Sequence, residues 1–392
     1  MDIPRLIQKQ IVSRLGEHKV IMLYGTRRTG KTTIIENIAA AFPKETLVLH
    51  GEDMSVVSLL QKRTEVDYKR LIGEKTIIII DEAQAIPEIG KILKLMIDRV
   101  KAITIIATGS SSFDLVNSTG EPLVGRNLVY YLYPIAQSEL SAVEDHLTTT
   151  RNLEDRLLFG SYPELWHIAT NQEREQYLRQ MVNSYLLNDL LTLETVKGSD
   201  ILFKLLQMLA FQIGSQVSTV ELGNSLQINK LTVERYLDLL SKAFVIYPLS
   251  GYSNNLRKEV SKSKKWYFFD NGIRNALINN FSPLHSRNDI GQLWEQYFLS
   301  ERLKYNSYMN YQPQYYFWRT YDGQEIDLIE LYNGNLQAME CKWKNAKAKI
   351  PLAFAKAYPD AAFNIITNDN YLDWITNDQN SFPALPGVSR VP

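Results

Sequence analysis

Gly25-Thr26-Arg27-Arg28-Thr29-Gly30-Lys31-Thr32 satisfies G-x-x-x-x-G-K-[ST] at every position. Glycines let successive backbone amides curl around phosphate oxygens, and a helix opening at Lys31 adds its positive dipole end. Lys31 would reach β- and γ-phosphates, Thr32 would offer a hydroxyl to Mg²⁺, and Thr33 lies at the rim of the same loop. Farther along, Ile77-Ile78-Ile79-Ile80-Asp81-Glu82 carries two adjacent carboxylates to the end of a buried strand, where α/β ligand sites form. Asp81 is the expected Mg²⁺ partner, directly or through water, and Glu82 is placed to polarise a water for attack on a γ-phosphate. The segment ATGSSS ends another strand, where Ser110 or Thr108 would sense that phosphate. A serine-rich capping turn explains the same residues nearly as well. Arg126, after Gly125, could stabilise transition-state charge, although most arginines simply sit at a surface.

A second constellation lies near the C-terminus. Asn333-Gly334 is a hairpin signal between GQEIDLIEL and LQAMECKWK. Period-two alternation then places Leu336, Ala338, Glu340 and Lys342 on one face and Cys341 on the other, as a small buried thiol. Asp327 and Glu340 on neighbouring strands could hold Mg²⁺ through oxygen ligands. Lys342 could position or deprotonate an attacking water and steady a pentavalent phosphate. Glu295, on an amphipathic helix over Gly291 to Lys304, could add a further carboxylate. A charged, solvent-facing hairpin edge explains the set about as well.

The elements that must position these groups fall into three stretches. From Met1 to Ser138, short β-rich runs alternate with helical ones, which implies a parallel sheet covered on both faces. From Glu139 to Ser250 the pattern is mainly helical. Within it, Thr219 to Ala243 reads as helix, turn, helix, with Asn229 as N-cap of the second helix. Beyond it, strand-like segments and turn signals return. Arg257, Lys258, Lys262, Lys264 and Lys265 would form a basic wing able to touch phosphates, and a second basic run spans Lys342 to Lys349. Glu234 and Asp238 on the second helix are poor partners for DNA, and a structural use of the module is at least as common.

The 392 residues suffice for two or three domains, and 43 basic against 43 acidic side chains exclude a chain-wide field for polyanions. A single cysteine excludes an internal disulfide framework and a cysteine-rich zinc site. The charged N-terminal stretch and the absence of a long apolar run lead us to expect a soluble, cytoplasmic protein with no membrane partner.

GTRRTGKT, IIIIDEAQ, ATGSSSFDL, the L-x-GR segment and YPIAQSEL together resemble the prokaryotic AAA-type ATPases related to the signalling (STAND) branch. FGSYPEL and NSYLLNDLL resemble that family's helical connector. The tail, with Glu295, WRT, EIDLIE and ECKW, is similar to the PD-(D/E)XK restriction-endonuclease-like fold. The resemblance implies an α/β protein in four parts. A P-loop NTPase parallel-sheet domain is expected at 1–140, with extra strands between the phosphate-loop strand and the Asp-Glu strand. A helical connector follows at 141–200, a winged-helix region at 201–280, and a C-terminal α/β restriction-endonuclease-like domain at 281–392. It implies ATP and Mg²⁺ as cofactors, with residues 25–33, Asp81 and Ser110 around the nucleotide and Arg126 as a sensing or finger-like residue. The metal constellation carries over onto Glu295, Asp327, Glu340 and Lys342; Cys341 stands where an aliphatic residue is more usual. Two functions stay open. One is an ATP-hydrolysing enzyme controlling a nucleic-acid-binding or cleaving module. The other is a nucleotide-dependent switch whose silent tail recognises a protein partner. Self-association is open in both.

Overall fold

Runs of β-branched residues build the first sheet. Val20–Tyr24 (β1), Thr46–His50 (β2), Ile77–Asp81 (β3), Thr104–Gly109 (β4) and Asn127–Tyr131 (β5) are all parallel, in the order β2-β3-β4-β1-β5. The computed structural model describes residues 3–62, 64–109, 123–186, 199–253, 264–344 and 349–376. β1, β3 and β4 are buried along their whole length, as strands covered by helices on both faces must be. β4 lies between β1 and β3, the insertion that the family resemblance implies. Register aligns Tyr24 with Gly109 and His50 with Asp81, so the phosphate loop, the ATG turn and the carboxylate pair all leave the sheet at one edge. Leu6–Ser13 (α1) packs near Lys31–Ala41 (α2), which begins at the last residues of the phosphate loop.

The middle of the chain contributes His146–Phe159 (α3), Ser199–Phe211 (α4), Thr219–Leu226 (α5) and Lys230–Lys242 (α6). Asn229 caps α6, its side chain accepting the Thr232 amide at 2.7 Å. Three short strands, Gln216–Val217 (β6), Ile246–Gly251 (β7) and Lys264–Phe268 (β8), pair antiparallel in the order β7-β8-β6. Asn271–Leu277 (α7) follows, then the long helix Ile290–Tyr308 (α8). Gln314–Arg319 (β9), Glu325–Tyr332 (β10) and Asn335–Cys341 (β11) form an antiparallel meander. Leu352–Ala357 (α9) then crosses to Ala362–Ile366 (β12), which is parallel to β11. Parallel pairing of β7 with β9 fuses both strand groups into one seven-stranded sheet, continuous across residue 281.

One residue of β10 is extra relative to β9. The register slips between Ile326 and Ile329, so Asp327 and Leu328 together face Phe317. Such a bulge interrupts alternation and re-aims a side chain. Ile326 and Ile329 therefore both pack with Trp318, Ala338 and Phe354 on the outer face, while Leu328 joins the main core with Met339 and Cys341.

α8 ties these parts together. Its Glu301, Arg302 and Lys304 are buried. Burial of a charge is tolerable only with partners. Glu301 accepts the Gln137 amide at 2.6 Å and the Lys304 ammonium at 2.7 Å. Arg302 makes a two-pronged contact to Glu330 of β10, 2.9 Å on each arm, and Asn306 reinforces Glu330 at 2.8 Å. One apolar cluster runs through Ile21, Leu157, Leu206, Phe268, Trp294 and Ile366, spanning all three stretches of sequence. Among the described residues, no helix is long and apolar enough to cross a membrane. Arg302→Met should strand the Glu330 carboxylate and lower unfolding stability by about 3–5 kcal/mol in denaturant titration, whereas adding Glu330→Leu should recover most of that loss.

Candidate functional site

The phosphate loop bends because two of its residues adopt left-handed backbone, Arg28 at φ 64° and Gly30 at φ 95°. Gly25 lies so close to the next strand segment that a Cβ there would stand 2.2 Å from the Leu132 carbonyl oxygen, which excludes any side chain. Lys31 is buried, and its ammonium donates to the Gly25 carbonyl at 2.8 Å and the Thr26 carbonyl at 3.0 Å. Thr29 is buried, its hydroxyl donating to Thr26 at 2.8 Å, while Arg27, Thr32 and Thr33 face outward. Arg28 lies over the Tyr177 ring, and the Tyr162 hydroxyl reaches Thr26 at 3.3 Å.

Facing this loop, Asp81 is held from two sides. The Thr32 hydroxyl donates to Oδ2 at 3.3 Å, and the Thr108 hydroxyl donates to Oδ1 at 2.5 Å. Thr108 also accepts the Glu82 amide at 2.9 Å, and it is fully buried. Its hydroxyl therefore sits beneath the carboxylate pair and positions it. Glu82 adopts left-handed backbone (φ 48°, ψ 46°), an uncommon state for a residue with a side chain, and Gln84 donates to its carboxylate. Gly51 makes this possible: a Cβ there would lie 2.4 Å from the Glu82 carbonyl oxygen. Hard oxygens from Thr32 and Asp81 suit Mg²⁺ in chemistry and proximity. Ser110 lies outside the described residues.

Arg126 is elsewhere. Its carbonyl accepts the Val20 amide at 2.9 Å, at the start of β1, and its guanidinium pairs with Asp98 at 2.6 Å. Five parallel-strand residues of about 3.3 Å each separate that end from the phosphate loop, roughly 16 Å. Arg126 therefore leaves the strand at the end opposite the phosphate loop.

Arg5, which its sequence context did not single out, is a cation that reaches the loop from outside it. Its guanidinium donates to the Thr29 carbonyl at 2.5 Å, the Tyr133 carbonyl at 2.7 Å, the Glu139 carboxylate at 3.0 Å and the Tyr308 hydroxyl of α8 at 3.4 Å. Burial alone would weaken its charge; Glu139 and Tyr308 outweigh that and hold its pKa above the ordinary value. Glu139 is fully engaged, accepting also from the Leu6 and Ala136 amides at 3.0 Å each.

The C-terminal carboxylates do come together. Asp327 Oδ2 accepts the Cys341 amide at 2.8 Å, taking the place of a further ladder bond beyond the Leu328–Met339 pair. Burial, then the nearby charges of Glu295 and Glu340, drive the Asp327 pKa well above the usual carboxylate range. Lys342 donates to Glu340 Oε1 at 2.6 Å, while Glu340 Oε2 is buried and accepts no bond from the described residues. Glu295 accepts from the Tyr267 hydroxyl at 2.5 Å and lies against Gly214, where a Cβ would stand 3.1 Å from its Oε2.

The basic-wing expectation is corrected at Lys265. Rather than facing solvent, it is 1% exposed, and its ammonium pairs with Glu295 at 3.4 Å and with Glu325. Burial would lower its pKa, but Glu295, Asp327 and Glu325 together raise it. Period-two phasing of Lys265 with Tyr267, both next to buried aromatics in KKWYFF, was the signal available for it. Arg257, Lys258, Lys262 and Lys347 lie outside the described residues. On α6, Lys230 pairs with Glu234 at 3.3 Å and Lys242 with Asp238 at 2.7 Å. Oxygen donors and the orphaned Glu340 Oε2 suit a hard divalent cation at Asp327 and Glu340. Among the described residues, however, no group of three or more His, Cys, Asp or Glu side chains is arranged to hold a metal ion.

A parallel sheet with β4 between β1 and β3, a G-x-x-x-x-G-K-T loop and an Asp-Glu pair at one edge define a P-loop NTPase domain. Residues 17–141 match the AAA domain family, which with that geometry supports an AAA-type P-loop ATPase. Residues 150–284 and 290–383 match two families described as domains of unknown function, DUF8612 and DUF4143. An uncharacterized protein of Mycobacterium tuberculosis is 28% identical over 334 residues, covering 82% of this chain and 70% of the relative. Another, from Methanocaldococcus jannaschii, is 23% identical over 408 residues, covering 95% and 88%. Among solved structures, the Thermotoga maritima RuvB Holliday junction branch migration motor aligns over 62% of this chain and 89% of its own, at 16% identity and a TM-score of 0.33. The Pif1 helicase from Candida albicans aligns over 47% and 48%, at 14% identity and a TM-score of 0.26. At those scores neither likeness bears on what this chain does.

Thr108→Val should leave ATP affinity within about threefold of wild type and lower the steady-state hydrolysis rate by about tenfold or more, because the Asp81 carboxylate and the Glu82 amide both lose their anchor.

Proposed function

We propose that the chain binds and hydrolyses ATP at residues 25–33 and that its nucleotide state governs a nuclease-like C-terminal module. The observation that carries the coupling is Arg5, whose one guanidinium touches both the Thr29 carbonyl of the phosphate loop and the Tyr308 hydroxyl of α8, the helix that carries Glu295. A phosphate entering the loop would take over the Lys31 hydrogen bonds now given to Gly25 and Thr26. Mg²⁺ held by Thr32 and Asp81 would neutralise phosphate charge. Glu82, aimed by Gln84 and Gly51, would accept a proton from the attacking water, and Ser110 would sense the γ-phosphate. Movement of the Thr29 carbonyl would pull on Arg5 and through it on Tyr308. Arg126, at the far end of β1 from the phosphate loop, would act on the nucleotide of a neighbouring subunit, which would tie hydrolysis to self-association.

The order helix, strand, helix, helix, strand, strand in α4-β6-α5-α6-β7-β8 supports a winged-helix reading of the middle region. The order α8-β9-β10-β11-α9-β12, with β12 parallel to β11, supports a restriction-endonuclease-like reading of the tail. Two carboxylates and Lys342 would then serve a metal-assisted phosphodiester reaction, with Lys344 and Lys349 exposed nearby for phosphate contacts. The internal ion pairs of α6 favour a structural role for the helical module. The Lys265 pairs favour the second reading, a nucleotide-dependent switch that binds a protein partner through a silent tail.

Lys31→Ala should abolish ATP binding by equilibrium titration, and Glu82→Gln should keep binding while cutting hydrolysis by about a hundredfold or more; wild-type turnover in Glu82→Gln would remove the base assignment. Arg5→Met should keep ATP binding but erase nucleotide-dependent changes in hydrogen exchange across residues 290–308. Plasmid, single-stranded DNA and RNA should be cut with Mn²⁺ or Mg²⁺ by wild type and not by Asp327→Ala or Lys342→Ala. No cleavage in any nucleotide state would select the switch.

A further inference from the structure

Four carboxylates, from Glu295, Glu325, Asp327 and Glu340, share the end of the seven-stranded sheet with two lysines. Lys342 pairs with Glu340 and Arg319 stands 3.6 Å from Glu325, while Lys265 faces Glu295, Glu325 and Asp327. That lysine comes from β8, in the strand group that pairs with β7 and β6, and not from the meander that carries Asp327 and Glu340. Its ammonium lies 3.4 Å from Glu295, closer still to Glu325, and 5.4 Å from the centre of the Phe317 ring, opposite the β10 bulge. A buried ammonium is retained only where its partners outweigh its lost hydration, and a carboxylate cluster is retained only where some cation compensates it. Lys265 is the buried one of these cations, its side chain 1% exposed against 39% for Lys342 and 43% for Arg319.

We propose that Lys265 is the resident cation of the carboxylate cluster, standing in the charge role of a divalent metal and setting how strongly the cluster binds one. A divalent ion at Asp327 and Glu340 must then form against the repulsion of a fixed ammonium, or with β8 displaced. Metal affinity becomes a property of where the β6–β8 strand group sits. The inference rests on the metal reading of Asp327 and Glu340, and its test separates the two.

Mn²⁺ binding to the full-length protein, without nucleotide, is read from the electron paramagnetic resonance of free Mn²⁺. Lys265→Gln removes the charge but keeps hydrogen-bond donors for Glu295 and Glu325, which guards the fold better than Lys265→Met; Lys265→Arg keeps the charge. Lys265→Gln should bind Mn²⁺ about tenfold or more tighter than wild type, while Lys265→Arg should stay within about threefold. Asp327→Asn should remove that binding in either background, which assigns it to this cluster and not to Thr32 and Asp81. Equal affinity in wild type and Lys265→Gln, at a site that Asp327→Asn abolishes, would overturn the role of Lys265 and leave the metal site standing. No Asp327-dependent binding in either protein would overturn the metal site and this inference with it.

Discussion

The burial of charge on the helix Ile290–Tyr308 is the constraint on which the arrangement turns. A helix that merely packed could slide or rotate at modest cost. This one carries Glu301, Arg302 and Lys304 into the interior, where each must keep its partner or cost several kcal/mol. Gln137 comes from the ATPase stretch, Glu330 from the C-terminal meander, and Tyr308 receives Arg5 from the extreme N-terminal helix region. Three distant segments are thereby fixed to one rod. Electrostatics supplies the specificity of that docking, and the continuous apolar cluster supplies its bulk driving force.

The phosphate loop and the C-terminal carboxylate cluster sit at the two ends of this linkage. At the first, parallel register brings three strand termini to one edge, so that loop amides, a lysine and an acidic pair converge without any long-range search by flexible side chains. Thr108 then locks the acidic pair by bonding both the Asp81 carboxylate and the Glu82 amide. At the second, carboxylates crowd so closely that burial and mutual repulsion raise Asp327 out of its usual range. The first centre has a cation on its loop and space outward at Thr32 and Thr33. The second already holds a buried cation, Lys265, inside it.

Much of this was legible in order and spacing. The glycines of the phosphate loop announce a turn that only small residues permit, and Gly25 meets a carbonyl too near for any Cβ. Four isoleucines before Asp81 announce a strand buried on both faces, and Asn229 announces a cap. The facing of Asp327 was not legible in this way, because a bulge inserts a residue that no local pattern marks. For Arg126, proximity to the motifs in sequence says nothing about which end of a parallel strand it leaves from. Lys265 was grouped with neighbouring lysines by composition, while its strand phase put it inside.

By itself, the sequence determined where the phosphate-loop turn lies, which strands would be buried and where helices would begin, since these follow from backbone freedom, periodicity and capping within a few positions. Tertiary structure alone decided which charges meet. Arg5 and Tyr308, or Lys265 and Glu325, are far apart along the chain, and an ion pair depends on distances of a few ångströms that only the packed sheet and its central helix impose.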